Sequence, residues 1–288
     1  MTAIKNKIDF AIIMTVNGAN PNGDPLNGNR PRTTVDGYGE ISDVCIKRKI
    51  RNRLQDMGLK IFVQSDDRSD DGYKSLRERA EPIVKGKNAD DLVKAVCNEW
   101  IDVRSFGQLF AFSNKGKSKK GEEEGLENSK GVSIGIRGPV SIRPAFSAAP
   151  VTITSLQITK SVNSVESETR GSDTMGMKHR VDHAVYTVYG SINTQLAQKT
   201  GFSDEDAEAI KNALITLFEN DSSSARPDGS MDVVRVYWWK HNCPGGQYSS
   251  AKVHGSLTVT PKVSEPHGIE DYEIKLSELE GLKPEIYE

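Results

Sequence analysis

Three cysteines in 288 residues, Cys45, Cys97 and Cys243, are too few, too scattered and odd in number for a disulfide framework. No Cys-x-x-Cys pair offers half of a structural zinc site, and a chain of this kind suits a reducing compartment. Long apolar runs are also missing. Met1-Thr2-Ala3-Ile4-Lys5-Asn6-Lys7 leads straight into a strand-like pattern, and no spanning segment follows, so a soluble cytoplasmic protein with no membrane partner is expected. An excess of one charge is absent as well: the net charge is only -2, so bulk charge does not announce a nucleic-acid binder. Its distribution is more telling. Residues 30 to 53 are basic, while the stretch from Glu265 to Glu288 is acidic. A dipolar chain suits binding of a polyanion on one face, or head-to-tail stacking on itself.

Several catalytic signatures fail on inspection. Gly23-Asp-Pro-Leu-Asn-Gly28 has the glycine spacing of a P-loop, but Asn29 and Arg30 stand where Lys and Ser or Thr would hold phosphate and Mg²⁺. That excludes a nucleoside triphosphatase of this class. His179 and His183 are four apart on an expected strand, which separates them by roughly 13 Å, too far to share an ion. Asp24, Asp36, Asp43 and Asp182 are the acids available for metal-dependent hydrolysis, with no second ligand at a telling spacing. Cys45 lies in a basic helix that would lower its pKa, but no partner histidine can be located. No cofactor or metal is expected. The aromatic signature of a conventional RNA-recognition sheet is missing, so Tyr237, Trp238 and Trp239 read first as core, with base stacking the alternative for one face.

What the chain does have is a loop and a helix. Asn20-Pro-Asn-Gly-Asp-Pro-Leu-Asn-Gly-Asn-Arg-Pro-Arg32 is built from residues that tolerate tight turns and left-handed geometry, and such backbones turn N–H groups toward anions. In the helix that follows, Ile46, Ile50, Leu54 and Met57 share one face, which leaves Lys47, Arg48, Lys49, Arg51 and Arg53 pointing outward. Gly58 is the expected C-terminal cap, with a second strand from Leu59 to Gln64.

Alternation of Ile8, Phe10, Ile12, Met14 and Val16 predicts a half-buried first strand. Tyr73 to Trp100 predicts two helices broken at Pro82 and Gly86, and Lys115 to Lys130 a low-complexity loop. Strands are expected over Val132 to Ile142, Val151 to Ile158, Val181 to Ile192, Val233 to Trp239 and Val253 to Thr260. Ser203 should cap a helix from about Asp204 to Asn220. Residues 160 to 180 make a long polar excursion, the kind of loop that carries function. Within it Met175-Gly176-Met177 places two apolar side chains where exposure without a partner is unfavourable. They either fill gaps in their own domain or wedge between nucleotides. The pattern suits an elaborated ferredoxin-like α+β sheet.

The sequence resembles the guide-RNA-binding backbone subunits of CRISPR type I Cascade surveillance complexes, of the RAMP superfamily, most closely the type I-C version. The stretches that carry the likeness are Asn20 to Arg32, Ile41 to Arg53, Arg137-Gly-Pro-Val-Ser-Ile-Arg-Pro-Ala-Phe146, Gly176 to Gly190, Ser222-Ser-Ser-Ala-Arg-Pro-Asp-Gly229 and Trp239-Lys-His241. The resemblance implies one domain over residues 1 to 288. It would consist of a modified RNA-recognition palm, a helical finger insertion at 71 to 130 and a β-hairpin thumb at 158 to 180. It implies a non-catalytic protein that polymerises along CRISPR RNA and presents it to target DNA, with other copies of itself and other Cascade subunits as partners. A metal-dependent RNA endonuclease of the same superfamily is the alternative. The residues expected on RNA are Asn22, Gly23, Asn29, Arg30 and Arg32 of the loop, and Lys47, Arg48, Lys49 and Arg51 of the helix. To these the matched stretches and the thumb add Arg137, Arg143, Lys160, Arg170, Met175, Met177, Lys178, His179 and Arg180.

Overall fold

The structure is a computed structural model, and it describes residues 2–112, 132–159 and 175–288. In chain order the strands are β1 (Ile8–Ala19), β2 (Gly23–Asp24), β3 (Arg30–Pro31), β4 (Tyr38–Ile41), β5 (Gly107–Phe112), β6 (Val132–Arg137) and β7 (Val140–Ile142). They continue with β8 (Ala145–Pro150), β9 (Ile153–Thr159), β10 (Met175–Ile192), β11 (Met231–Lys240), β12 (Leu257–Pro261), β13 (Tyr272–Leu276) and β14 (Glu285–Tyr287). The helices are α1 (Asp43–Asp56), α2 (Leu76–Val84), α3 (Ala89–Glu99), α4 (Ile101–Phe106), α5 (Thr194–Thr200), α6 (Asp204–Ile215) and α7 (Ser250–Gly255). An eight-stranded sheet in the order β14-β11-β1-β10-β8-β4 organises the molecule, with β7 and β9 also pairing along β10. All the named pairings of this sheet are antiparallel.

β1 is a central strand, not the half-buried one its alternation suggests. Phe10, Ile12, Met14 and Val16 join α1 and α6 on one face. Ala11 and Ile13 meet α7, β12 and β13 on the other, because the C-terminal hairpin covers the second face of the sheet. The same double coverage decides the aromatic strand. Trp238 stacks on Phe10 at 5.5 Å, and Tyr237 stacks on Trp239 at 5.8 Å in the opposite core, so neither face is open to bases. Among these apolar side chains Asp9 is fully buried, and it is bound by Lys7 at 2.9 Å and by His241 Nε2 at 2.9 Å.

α1 forms where its sequence says it should. The Ser42 hydroxyl accepts the Cys45 N–H, Ile46, Ile50 and Leu54 are buried, and Gly58 takes the left-handed φ of 81°. The Gly58 N–H reaches Gln55 O and the Leu59 N–H reaches Leu54 O, the paired bonds of a Schellman cap. Met57 is partly exposed and lies off the stripe. Beyond it, Leu59 to Gln64 is not a strand. It runs irregularly because its backbone bonds go to a side chain: the N–H groups of Phe62 and Val63 donate to Asp102 at 2.8 and 3.1 Å.

A separate core gathers α2, α3, α4 and the β5–β6 ribbon around Phe62, Val96, Trp100 and Phe110. Gly86 separates α2 from α3 as expected, but Pro82 sits inside α2. α6 begins at the Ser203–Asp206 capping box and stops at Ile215, short of Asn220. Asp206 also takes two bonds from Arg104, at 2.9 and 2.6 Å, and so locks α4 to α6. Two strand expectations change as well: Ser250–Gly255 is helical before β12 begins, and the segment between Pro144 and Val151 is itself β8. Among the described residues no helix is long and apolar enough to cross a membrane.

Candidate nucleic-acid interface

The loop after β1 is a small, tightly tied structure. β2 and β3 pair around a turn in which the Asp24 carboxylate accepts the Leu26 N–H at 3.3 Å, and Gly28 and Asn29 are both left-handed at φ 58°. A β-carbon on Gly23 would lie 2.0 Å from Asn29 Oδ1, so a larger residue here would displace the Asn29 side chain. The Asn22 side-chain oxygen accepts both the N–H and the O–H of Ser42 at 2.9 Å, which fastens the loop to the N-terminus of α1. Behind it the segment 221 to 230 runs alongside, with Asn20 donating to Ala225 O and Asn17 to Ser230 O. The tip projects: Leu26 is 98% exposed. Arg32 reaches Asp24 at 3.3 Å and stays partly open to solvent.

The cations of α1 do not point outward. Lys49 is 4% exposed and bonded to Asp221, which also holds Arg226 at 3.2 Å. Arg51 meets Asp102 at 3.0 Å and lies over the Phe106 ring at 5.0 Å. Arg48 donates to Val63 O at 2.6 Å, and Arg53 binds Thr216 at 2.7 Å and Glu219. The helix sits between the sheet, the 59 to 64 segment and the loop after α6, so every face but one meets protein. Charge density along a helix gives no signal of the acids that fold back onto it. Burial lowers the Lys49 pKa, Asp221 opposing it, and lowers that of Arg48. Burial also raises the Cys45 thiol, opposite to the lowering its basic neighbours suggest, because desolvation outweighs them. Lys47, 25% exposed, bonds Asp43 of its own helix at 2.9 Å.

The β9–β10 ribbon supplies the other surface. Pairing of Met175 with Thr159, Met177 with Gln157 and His179 with Ser155 puts these six side chains on one face. Gly176, Lys178 and Arg180 fall on the reverse with Ile158, Leu156 and Thr154. Met175 and Met177 are 63% and 55% exposed, so they do not fill gaps in their own domain. Lys178 and Arg180 are exposed, with Arg180 3.6 Å from Asp182. Lys160 and Arg170 lie outside the described residues.

A hydroxyl is shared where loop and ribbon meet. Arg30 Nη1 donates to Ser155 Oγ at 3.1 Å, and His179 Nδ1 lies 2.8 Å from the same oxygen. The structure therefore brings Asn22, Gly23, Asn29, Arg30 and Arg32 together with the base of the ribbon. Arg143 is set apart, over the Tyr189 ring at 5.6 Å, and Arg137 is exposed at the end of β6. Ser155 was not legible beforehand, because one serine in Thr-Ser-Leu-Gln carries no signal until the register places it opposite His179.

His183 is separate from His179 and bonds Asn17 at 2.6 Å. Asp24, Asp43 and Asp182 each serve a neighbour of their own, Arg32, Lys47 and Thr154. Among the described residues no three His, Cys, Asp or Glu side chains come together as a metal site.

The family model of CRISPR-associated protein Cas7 matches residues 6–277. The chain belongs to the Cas7 family. A CRISPR-associated protein Cas7 of Haloferax volcanii is 27% identical over 228 residues, which cover 76% of this chain and 66% of that relative. The chain thus spans a little under two thirds of its relative's length. Among solved structures, a chain of a CRISPR RNA-guided surveillance complex in a pre-nicking state is 17% identical at a TM-score of 0.45, covering 81% of this chain and 78% of that one. A second surveillance-complex chain is 16% identical at a TM-score of 0.43, covering 81% and 68%.

Proposed function

We propose that this Cas7-family chain is a guide-RNA-binding backbone subunit of a type I-C surveillance complex, polymerising head to tail along CRISPR RNA in the cytoplasm. On this reading the sheet is a modified ferredoxin-like palm, α2 to α4 with β5 and β6 are the finger, and the β9–β10 ribbon is the thumb. The observation that carries it is the contact of Arg30 with Ser155, which joins the Gly- and Asn-rich loop and the exposed ribbon into one surface in a chain matched by the Cas7 model over residues 6–277. Arg30, Arg32, Lys47, Lys178 and Arg180 would meet phosphates, which position a strand without reading its sequence, as a subunit serving many guides requires. Met175 and Met177 would wedge beside a displaced base and divide the guide into short stacked segments open to target DNA. Lys49, Arg48 and Arg51 would act indirectly, by holding α1 in place.

The protein is proposed to act without cleaving RNA. Incubation of purified protein with RNA and Mg²⁺ distinguishes it from an endonuclease of the same superfamily, which would release fragments. The assembly claim is tested by native mass spectrometry on guides of increasing length. Stepwise growth in subunit number supports an open array, and a closed ring or a dimer indifferent to guide length refutes it.

A further inference from the structure

Ser155 stands where loop and ribbon meet, with a guanidinium on one side and an imidazole on the other. A hydroxyl has one proton to give and two lone pairs to receive. Arg30 can only donate, so its bond uses one lone pair of Ser155 Oγ. His179 Nδ1 lies 2.8 Å from the same oxygen, and in the tautomer that takes the hydroxyl proton there the ring proton is on Nε2. This arrangement uses the hydroxyl proton and one of its two lone pairs. Arg30 retains further N–H groups, since only Nη1 is engaged, and its strand is fixed by pairing with Asp24. His179 is fixed by direct cross-strand pairing with Ser155. A guanidinium that donates to the Ser155 oxygen and an imidazole that accepts from it, its own Nε2–H left over, are thus held together beside the exposed thioether face.

We propose that Arg30 and His179 form a clamp for a single RNA phosphodiester, and that Ser155 is its positioning residue, holding the Arg30 guanidinium and the His179 Nε2–H on the same phosphate. This inference rests on the function proposed above and names the subsite that sets the register of the guide. Met177 is two residues beyond His179 on the same face of β10, about 7 Å along the strand. A phosphate held by the clamp therefore fixes which nucleotide arrives beside Met177. Ser155 also ties the ribbon to the loop, so the clamp aligns the thumb with the strand it enters.

The test compares Ser155→Ala, Ser155→Thr, Arg30→Ala, the Ser155→Ala Arg30→Ala double variant and Lys178→Ala, by affinity for a single-stranded guide RNA at fixed salt. Melting temperature is measured in parallel to confirm folding. Ser155→Ala is expected to weaken binding about tenfold, and Ser155→Thr, which keeps the hydroxyl, to restore it to within about twofold of the parent. Arg30→Ala should lose far less affinity in the Ser155→Ala background than in the parent, because the two act as a unit. Wild-type affinity for Ser155→Ala, or losses that simply add, overturns the clamp. If Lys178→Ala weakens binding while Ser155→Ala does not, the clamp falls and the RNA-binding function stands. If the unmodified protein itself shows no salt-dependent RNA binding, both fall.

Discussion

Replacing Arg51 with alanine strips the partner from Asp102, a carboxylate of α4 that is 1% exposed. Asp102 keeps the N–H groups of Phe62 and Val63 at 2.8 and 3.1 Å, which moderates the loss. Breaking a buried ion pair by removing one partner costs about 3–5 kcal/mol, and the two remaining bonds put this site at about 3 kcal/mol. At about 2–4 °C per kcal/mol for domains somewhat smaller than this one, the melting temperature should fall by about 6–12 °C. Thermal denaturation followed by circular dichroism reads this directly. RNA affinity of the same variant, measured well below its melting temperature, should keep the parent's dependence on salt, because Arg51 is turned into the protein and neutralises no phosphate. A phosphate contact would instead flatten the slope of log K against log salt by about 0.7. Joint replacement by Arg51→Met and Asp102→Asn should recover only part of the stability, since no unpaired charge remains buried but the Asn NH2 faces one of the two N–H donors. An Arg51→Ala protein with parental stability and a flattened salt slope would refute the burial argument.

Lys178→Ala and Arg180→Ala should behave in the opposite way, each flattening the salt slope by about 0.7 while leaving the melting temperature unchanged, and a fall in stability would count against their exposure. Met175→Gly with Met177→Gly should leave RNA affinity largely intact but abolish periodic chemical reactivity along an assembled guide; an unchanged pattern rules out the wedge. Burial lowers the pKa of His254, and Arg143 and Lys7 lower it further, against Asp9 at 3.7 Å and the Gly190 carbonyl to which it donates at 3.0 Å. The unfolded chain therefore binds a proton below about pH 6.5 that the folded chain refuses, so stability should fall as pH drops through that range. His254→Gln should make the fall shallower in melting curves taken across that range, and an identical pH dependence in both proteins contradicts the assignment.

Local chemistry was legible in the sequence wherever one short stretch decides the outcome. The Ile46, Ile50 and Leu54 stripe, the Gly58 terminus and the Ser203 cap all follow from neighbouring residues, and the structure has each of them. Long-range partners were not legible. Nothing near Lys49 indicates Asp221, and nothing near Arg51 indicates Asp102, so a helix read as a charged outer face proved to be bound on its charged sides. The second cover of the sheet by α7, β12 and β13 was hidden in the same way, which is why β1 looked half-buried and base stacking stayed an alternative for one face of the aromatic strand. The candidate site divides along this line. The loop's turn residues and the exposed Met175 and Met177 could be named in advance, whereas Ser155 enters only through strand register.

The central claim, that this chain coats a guide RNA, is tested most directly by extracting and sequencing the nucleic acid that co-purifies with it when it is expressed beside a CRISPR array. RNA of a discrete length class is expected, with common repeat-derived ends and unrelated spacer sequences between them. Absence of RNA, or a random sample of cellular RNA without common ends, would contradict it.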